Sequence, residues 1–339
     1  MKAVASPAPG KVEVVDIPPP EIADYECLVK VHACGLCNGT DLKIVDDHLS
    51  DQRVNYPVII GHEGVGEVVE VGEKVKYIRP GDLFTNPIGR LAPGTPYTAM
   101  YGGMKELAVV QDHRAMNELG VDRGLYTGSW TRKVPSDMSP VEAAVLLTLK
   151  ETYSGITNLG FRAGMDVLVY GDGPVGLCLV TFLRMRGAGW LGCVGHWDHR
   201  LEHVREVARP DLTLNSRNDD VEEAIGDRRV DLVIDAVGST SVIKQGSRLL
   251  RSGGKVGVYG VLKGQDAELS LLDLKNNTSV HMLNWPVGEH EIHEQMLRMV
   301  QAGLLDLRHY YTHTMPADDV EEAVRLVRSR EALKVIVTF

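Results

Sequence analysis

Residues of three types that bind zinc occur at two points in the first part of the chain. Cys37 closes a Cys34-Gly-Leu-Cys37 run, and the pair His62-Glu63 follows 25 residues later. A thiolate, an imidazole and a carboxylate supply three ligands for Zn²⁺ and leave the fourth position to water or substrate, as in a catalytic site. Asp41 is suited to hold the imidazole of His62 in one tautomer.

Two plainer interpretations of these residues stay open. A buried cysteine and a histidine at a strand end commonly serve packing alone. Cys34 and Cys37 also have the spacing of a redox pair. The thioredoxin-like βαβ start that such a pair needs is not evident around them, which disfavours redox chemistry.

A glycine-rich turn in the second half of the chain has the spacing of a phosphate-binding loop. Gly171-Asp-Gly173-Pro174-Val175-Gly176 follows a buried-strand pattern and opens a helical one. The glycines allow a tight turn and a close approach to pyrophosphate, and the helix N-terminus supplies N–H donors and partial positive charge. The loop therefore predicts dinucleotide binding.

The end of the next strand bears on which dinucleotide binds. An NAD site places Asp or Glu about 20 residues further on, where it accepts hydrogen bonds from the ribose. Gly195 and His196 occupy that place. Gly195 leaves space, and His196 or Arg200 would pair with a 2′-phosphate, so the sequence favours NADP. Alternatively, the turn is shifted and Asp198 is the carboxylate that accepts hydrogen bonds from the ribose of NAD.

Two kinds of sequence pattern indicate the secondary structure that positions these residues. Through about residue 135, short Val-rich runs ending in glycine favour antiparallel strands in a barrel. Ser139-Pro-Val-Glu142 resembles a capping box that opens a helix reaching about Leu159. From Asp166, strands and helices alternate, as in a parallel doubly wound sheet.

Length, composition and charge indicate the broad class of the protein. A chain of 339 residues suggests two domains. The net charge of −10 disfavours a basic surface for nucleic acid. No stretch approaches the ~18 apolar residues of a membrane span, no signal-peptide core follows the start, and five cysteines are too few for a disulfide framework. We expect a cytoplasmic protein without nucleic-acid or membrane partners.

Several motifs together resemble the zinc-dependent medium-chain dehydrogenases/reductases, the family of alcohol, polyol and sugar dehydrogenases. They occur in the family's order and extend over nearly the whole chain. They are Gly35-Leu-Cys37, Gly61-His62-Glu63-x-x-Gly66, Arg79-Pro-Gly81-Asp82, the loop from Gly171 to Gly176, Val233-Ile-Asp235-Ala-Val237-Gly238, Gly253-Gly254-Lys255-Val256 and Lys334-Val-Ile-Val-Thr-Phe339.

The resemblance implies an α/β protein with two domains. Residues 1–154 and 289–339 would form a barrel-like (GroES-like) catalytic domain that binds zinc. Residues 155–288 would form an inserted Rossmann domain, a doubly wound parallel sheet that binds the cofactor and includes Val237. The family pattern makes Cys37 and His62 zinc ligands and Glu63 a third ligand. Relatives form dimers or tetramers, so we expect a homodimer or homotetramer.

The chain departs from the family pattern in three places. Residues 84–104 contain no cysteine where relatives with a structural zinc carry four, so we expect one Zn²⁺. Two residues instead of one separate Cys37 from Thr40-Asp41. Leu147 stands near the third ligand of many relatives and cannot bind metal, which makes Glu151, one helical turn further, the alternative to Glu63.

The resemblance implies hydride transfer between a secondary alcohol and a nicotinamide cofactor, and it favours a polyol or sugar as the alcohol. Zn²⁺ would lower the pKa of the substrate hydroxyl. Thr40 would accept its proton, and Lys43 would pass the proton onward. Two other hypotheses stay open, a zinc-free NADP-dependent reductase of the same superfamily and a non-catalytic NADP-binding protein.

Overall fold

The structure is a computed structural model that describes residues 1–48, 54–121, 130–262, 268–275 and 277–339. It divides into two compact units, Met1–Leu147 with His293–Phe339, and Thr148–Ile292. The boundaries predicted from the sequence lie a few residues away, at 154 and 288. Within the described residues, no helix has the length and apolar character needed to cross a membrane.

The elements are short in both units. The strands are β1 (Lys2–Ser6), β2 (Glu13–Asp16), β3 (Glu26–Leu36), β4 (Val58–Ile59), β5 (Glu63–Val71), β6 (Leu83–Thr85), β7 (Thr98–Ala99), β8 (Leu107–Gln111), β9 (Arg132–Val134), β10 (Val167–Tyr170), β11 (Leu191–Gly195), β12 (Leu212–Asn215), β13 (Val230–Asp235), β14 (Leu250–Val258), β15 (Ser279–Met282), β16 (His313–Pro316) and β17 (Val335–Thr338). The α-helices are α1 (Asp41–Val45), α2 (His113–Glu118), α3 (Pro140–Ala143), α4 (Leu146–Asn158), α5 (Pro174–Met185), α6 (Asp198–Ala208), α7 (Val221–Ile225), α8 (Thr240–Leu249), α9 (His293–Gln301) and α10 (Val320–Arg328).

The first unit is built from two sheets, with strand orders β16-β17-β3-β5-β6-β9 and β2-β1-β4-β7, and with β8 also paired to β3. Most neighbours are antiparallel, as the sequence predicts, although β16–β17 and β4–β7 are parallel. The long strand β3 lies between β5 and β17. Gly35 is opposite Glu63 on one side and Ile336 on the other. This register brings the end of β3 beside the starts of β5 and β17.

The second unit contains a parallel sheet with strand order β12-β11-β10-β13-β14-β15. The predicted doubly wound sheet is confirmed. The direction of winding reverses between β10 and β13, and open α/β sheets bind ligands outside the carboxyl ends of strands at such a point. The residues after Tyr170 and Asp235 are therefore the expected nucleotide-binding segments.

The single helix predicted from Ser139 to about Leu159 is wrong in detail, because the structure divides it into α3 and α4. Ser139 precedes α3, and its side chain makes no cap hydrogen bond. Residues 143–150 are buried one after another. The secondary structure of residues 143–150 is therefore determined by packing on every side, and not by one apolar face with a capped end. A capping pattern in the sequence cannot reveal such packing.

Candidate metal centre and nucleotide-binding loop

Three side chains of the first unit converge where β3 ends and β5 begins. One ligand atom from each of Cys37, His62 and Glu63 lies within 4.8 Å of the other two. Cys37 follows the last residue of β3, and Glu63 is the first residue of β5. The pairing of these strands brings together residues that are 25 positions apart in the sequence.

Asp41 organises this group from the first turn of α1. Its side chain is fully buried, and Oδ1 lies 3.1 Å from Nδ1 of His62. Oδ1 also accepts the Gly61 N–H at 3.1 Å, and Oδ2 accepts the Cys37 N–H at 2.9 Å. With Nδ1 held by this carboxylate, Nε2 of His62 is available to a metal.

Electrostatics of the metal-free site follow from this arrangement. Burial by itself lowers the pKa of His62, but the Asp41 carboxylate, together with Cys37, outweighs burial and raises that pKa well above its usual range. Nε2 of His62 lies 3.9 Å from Oε1 of Glu63. The imidazole is thus placed between two carboxylates and a thiol, and this set of groups attracts a cation.

Glu63 has a second partner, which the sequence analysis missed. Its Oε2 accepts a hydrogen bond from Nζ of Lys334, which immediately precedes β17. Both side chains are buried, with 1% of Glu63 and 3% of Lys334 exposed. The β3–β17 pairing delivers this lysine from 271 residues away, a separation that no local motif spans.

The three donors fit Zn²⁺. Sulfur, imidazole nitrogen and carboxylate oxygen are its usual ligands, and bonds of about 2.0–2.3 Å place such ligands roughly 3–4 Å apart. Atoms already within 4.8 Å need only a small contraction to reach that spacing. Asp41 completes the support that a ligating histidine requires.

The other residues predicted for this site lie as follows. Thr40 is half-buried and precedes α1, and its side chain makes no cap hydrogen bond. Lys43 is half-buried within α1. Glu151 lies on α4 in the second unit and is not among the three converging ligands of the described residues. Cys34 is fully buried, which raises its pKa well above the usual range and makes it a poor redox partner.

Aromatic rings, also missed in the sequence, lie beside His62. The ring centroids of Tyr101 and His62 are 5.4 Å apart, and Trp130 lies 6.3 Å from Tyr101. Trp130 is 37% exposed. Apolar walls with a few polar groups are typical of small-molecule sites, so these rings are candidates for substrate contact.

In the second unit, the predicted phosphate-binding loop has the backbone that its glycines predict. Gly171 has φ +130°, and a Cβ on Gly176 would lie 1.9 Å from the Gly171 carbonyl oxygen. No atom lies within 4 Å of the place where a Cβ of Gly173 would stand. Pro174 opens the 12-residue helix α5, with Val175 in the same first turn. The open space at a helix N-terminus fits a pyrophosphate.

Around the end of β11, the predicted nucleotide contacts differ in exposure. His196 is exposed, whereas Arg200 is buried with 7% of its surface accessible. Val237, just past β13, is 52% exposed. The loop residue Asp172 is buried, and its Oδ2 accepts the N–H groups of His196 and Trp197 at 2.7 and 2.9 Å. No role for Asp172 is predicted from the sequence.

Comparison with protein families matches both units. The family described as alcohol dehydrogenase GroES-like domain matches residues 23–120. The family described as zinc-binding dehydrogenase matches residues 174–302. These matches confirm the predicted combination of a GroES-like domain with a Rossmann domain.

Similarity to named relatives extends over nearly the whole chain. The chain is similar to L-threonine 3-dehydrogenase of Bacillus velezensis, with 28% identity over 95% of this chain and 93% of the relative. It is also similar to sorbitol dehydrogenase of Bombyx mori, with 27% identity over 96% and 95%. A solved zinc-binding dehydrogenase of Sinorhizobium meliloti 1021, bound to NADP, superposes with a TM-score of 0.78 at 26% identity, covering 100% of this chain and 99% of that one.

Proposed function

This chain belongs to the zinc-type medium-chain dehydrogenase/reductase superfamily, and we propose that it transfers a hydride between a secondary alcohol and a nicotinamide dinucleotide with the help of one Zn²⁺. The observation that carries the proposal is the convergence of Cys37, His62 and Glu63 over the buried carboxylate of Asp41. A zinc-free reductase has no need of this donor set. A binding protein has no need of it either.

The metal would be held by the thiolate of Cys37, Nε2 of His62 and a carboxylate oxygen of Glu63. When bound, Zn²⁺ supplies a Lewis acid that lowers the pKa of an alcohol hydroxyl, and the nicotinamide supplies the hydride acceptor. Glu63 would then share its charge between the metal and Lys334. Glu151 stays the alternative third ligand.

The chain's own residues would manage the proton. We assign Thr40 as the first acceptor, because its hydroxyl stands three residues after Cys37 and is not used as a helix cap. Lys43 lies one turn along α1 and would pass the proton onward. Tyr101 and Trp130 would exclude water from the face of His62 and contact the carbon skeleton of the substrate.

For the substrate we propose a secondary alcohol with neighbouring hydroxyl groups, a polyol or sugar. The carboxylate-containing ligand set and the absence of cysteines from residues 84–104 support this class. The similarity to a sorbitol dehydrogenase supports it too, whereas the similarity to an L-threonine dehydrogenase supports a hydroxy amino acid as the second candidate.

The deciding experiment measures zinc per chain in purified protein and then the reduction of NAD⁺ and NADP⁺ with sorbitol, other polyols, sugars and L-threonine. We expect about one zinc per chain and turnover with a member of this panel. Cys37→Ser should lose zinc and activity together. Cys34→Ala, three residues earlier and within β3, should retain both.

The outcomes separate the rival hypotheses. A zinc-free protein that reduces an activated double bond with NADPH would be the alternative reductase. Nucleotide binding without zinc or turnover would be the binding protein. Equal loss in the Cys34→Ala and Cys37→Ser variants would point to the cysteine pair as a unit and would contradict Cys37 as a separate ligand.

A further inference from the structure

We propose that Asp172, a residue of the phosphate-binding loop, selects NAD(H) against NADP(H) by supplying the carboxylate that the end of β11 lacks. This inference rests on the proposed function, because it concerns the nucleotide of that same site. It reverses the preference for NADP that the residues after β11 indicate by themselves.

The space beside Gly195 carries the argument. A side chain at this last position of β11 would begin where Asp172 already stands, because a Cβ built on Gly195 lies 2.6 Å from both Cβ and Oδ2 of Asp172. The glycine therefore does not leave room for a phosphate. It leaves room for a carboxylate that arrives from the neighbouring loop.

Asp172 is fixed in this position. It follows β10 by two residues, and β10 pairs in parallel with β11, so the loop and the end of β11 are neighbours at the carboxyl edge of the sheet. Its Oδ2 accepts the N–H groups of His196 and Trp197. Oδ1 is thus the oxygen that can accept a ribose hydroxyl.

The chemistry distinguishes the two nucleotides. In dinucleotide-binding folds of this type, a carboxylate at the end of the second strand accepts hydrogen bonds from the adenosine ribose. A 2′-hydroxyl donates a hydrogen bond to such a carboxylate, whereas a 2′-phosphate brings a second negative charge next to the buried carboxylate of Asp172. Like charges at this range repel strongly in a poorly solvated setting.

The nearby cations do not reverse this balance. Arg200 is 7% exposed and Asp172 is 8% exposed, so exposure gives this cation no advantage over the carboxylate. Arg217, which follows β12, stacks on the Trp197 ring with its guanidinium carbon 3.8 Å from the ring centroid.

The test is calorimetric titration of the full-length protein with NAD⁺ and NADP⁺, without substrate. We expect wild type to bind NAD⁺ at least about tenfold more tightly than NADP⁺. Asp172→Asn keeps an oxygen that can accept both N–H groups but removes the charge, and it should tighten NADP⁺ binding by roughly tenfold or more. For wild type, AMP and adenosine 2′,5′-bisphosphate are also compared as competitors that displace bound NAD⁺. AMP should bind more tightly than the bisphosphate.

Two further variants make the comparison specific. Asp211→Asn removes the same charge at the opposite edge of this sheet, where Asp211 accepts the N–H of Leu191 at 2.7 Å, and it should leave the nucleotide ratio unchanged. Asp198→Asn tests the rival carboxylate, which accepts a hydrogen bond from Asn215 at 2.8 Å. It should not change the ratio either.

Tighter binding of NADP⁺ by wild type would overturn the inference while leaving the proposed hydride transfer intact. An unchanged ratio in Asp172→Asn, or a changed ratio in Asp198→Asn alone, would overturn it as well. Binding of neither nucleotide would remove the proposed function together with the inference.

Discussion

Glu63 and Lys334 form a buried ion pair at the edge of the candidate metal centre, with 1% and 3% of their side chains exposed. The carboxylate that we propose as a zinc ligand is therefore already neutralised in the metal-free protein. A buried charge without a partner is costly, so the lysine stabilises the site while it is empty. When a cation binds, it and Lys334 compete for the charge of the same carboxylate.

Replacing the lysine should expose this competition. We expect Lys334→Met to lower the free energy of unfolding of the zinc-free protein by about 3–5 kcal/mol, because Glu63 is left as an unpaired buried charge. Added Zn²⁺ should then raise the melting temperature of the variant more than that of wild type. Differential scanning calorimetry of the metal-free and zinc-loaded proteins measures both effects.

A lysine–carboxylate pair on the surface provides the comparison. Lys2 and Asp318 lie 2.7 Å apart with 48% and 60% of their side chains exposed, so Lys2→Met should leave the stability close to that of wild type. Similar losses in Lys2→Met and Lys334→Met would contradict the importance of burial. An equal response of wild type and Lys334→Met to zinc would contradict the competition.

Asp41 should control metal affinity without binding the metal. Asp41→Ala removes the acceptor that lies 3.1 Å from Nδ1 of His62 and also frees the Cys37 N–H, so we expect zinc affinity to fall roughly 10- to 100-fold. Competition with a chromophoric chelator measures the change. Asp46→Asn, just after the same helix, alters a carboxylate that pairs with Arg328 and should leave zinc affinity as in wild type.

Gly35 is needed because Glu63 folds over it. A Cβ at residue 35 would lie 2.1 Å from Oε2 of Glu63, and that oxygen is held by Lys334. We expect Gly35→Ala to cost about 1–3 kcal/mol of stability through overpacking and to weaken zinc binding. Urea denaturation checks the first effect and chelator competition the second.

The double variant Gly35→Ala/Glu63→Asp provides the internal test. A side chain shorter by one methylene withdraws from the added Cβ, so the double variant should be more stable than the sum of the two single changes allows. Additive losses would show that residue 35 does not act through Glu63.

Those residues of the site that lie close together in the sequence could be predicted from it. Cys37 and Asp41 share one short segment, and His62 and Glu63 are adjacent, so motif spacing was sufficient to group them. Lys334 arrives through strand pairing across 271 residues. That contact depends on sheet order, which local patterns do not contain.

The fold shows the same division between local and tertiary information. Alternation of strands and helices from Asp166 was sufficient to predict the parallel sheet. Gly195 could be recognised as a missing carboxylate, but only the packing of the loop against β11 shows that the Asp172 side chain lies beside it. The break between α3 and α4 follows from burial on all sides, which periodicity does not register.

Thr40 permits a clean test of proton transfer, because its hydroxyl does not cap α1. Thr40→Val removes the hydroxyl while keeping the shape, and we expect kcat to fall roughly 10²- to 10⁴-fold. Zinc content and nucleotide affinity should be unchanged, and Thr40→Ser should recover most of the rate. Steady-state kinetics would contradict the assignment if Thr40→Val kept its kcat while Lys43→Met lost activity.

Lys105 should make stability depend on pH for a reason unrelated to the metal. The side chain is fully buried, with Nζ donating to the carbonyl oxygen of Arg90. Burial, assisted by the Arg90 guanidinium, lowers its pKa to about 7. In the unfolded chain the pKa returns to about 10.4. Between these values only the unfolded state holds the proton, so stability rises with pH across that window.

Lys105→Met should abolish this dependence. Below pH 7 the wild-type fold must bury a charged ammonium, a penalty on the order of 4 kcal/mol relative to pH 10. The variant should therefore gain stability relative to wild type at pH 6.5, and the gain should shrink as the pH approaches 10. Denaturant unfolding at several pH values measures the difference, with Lys30→Met as the control because that lysine is exposed. A constant difference between wild type and Lys105→Met from pH 6.5 to 10 would show that Lys105 keeps its proton inside the fold.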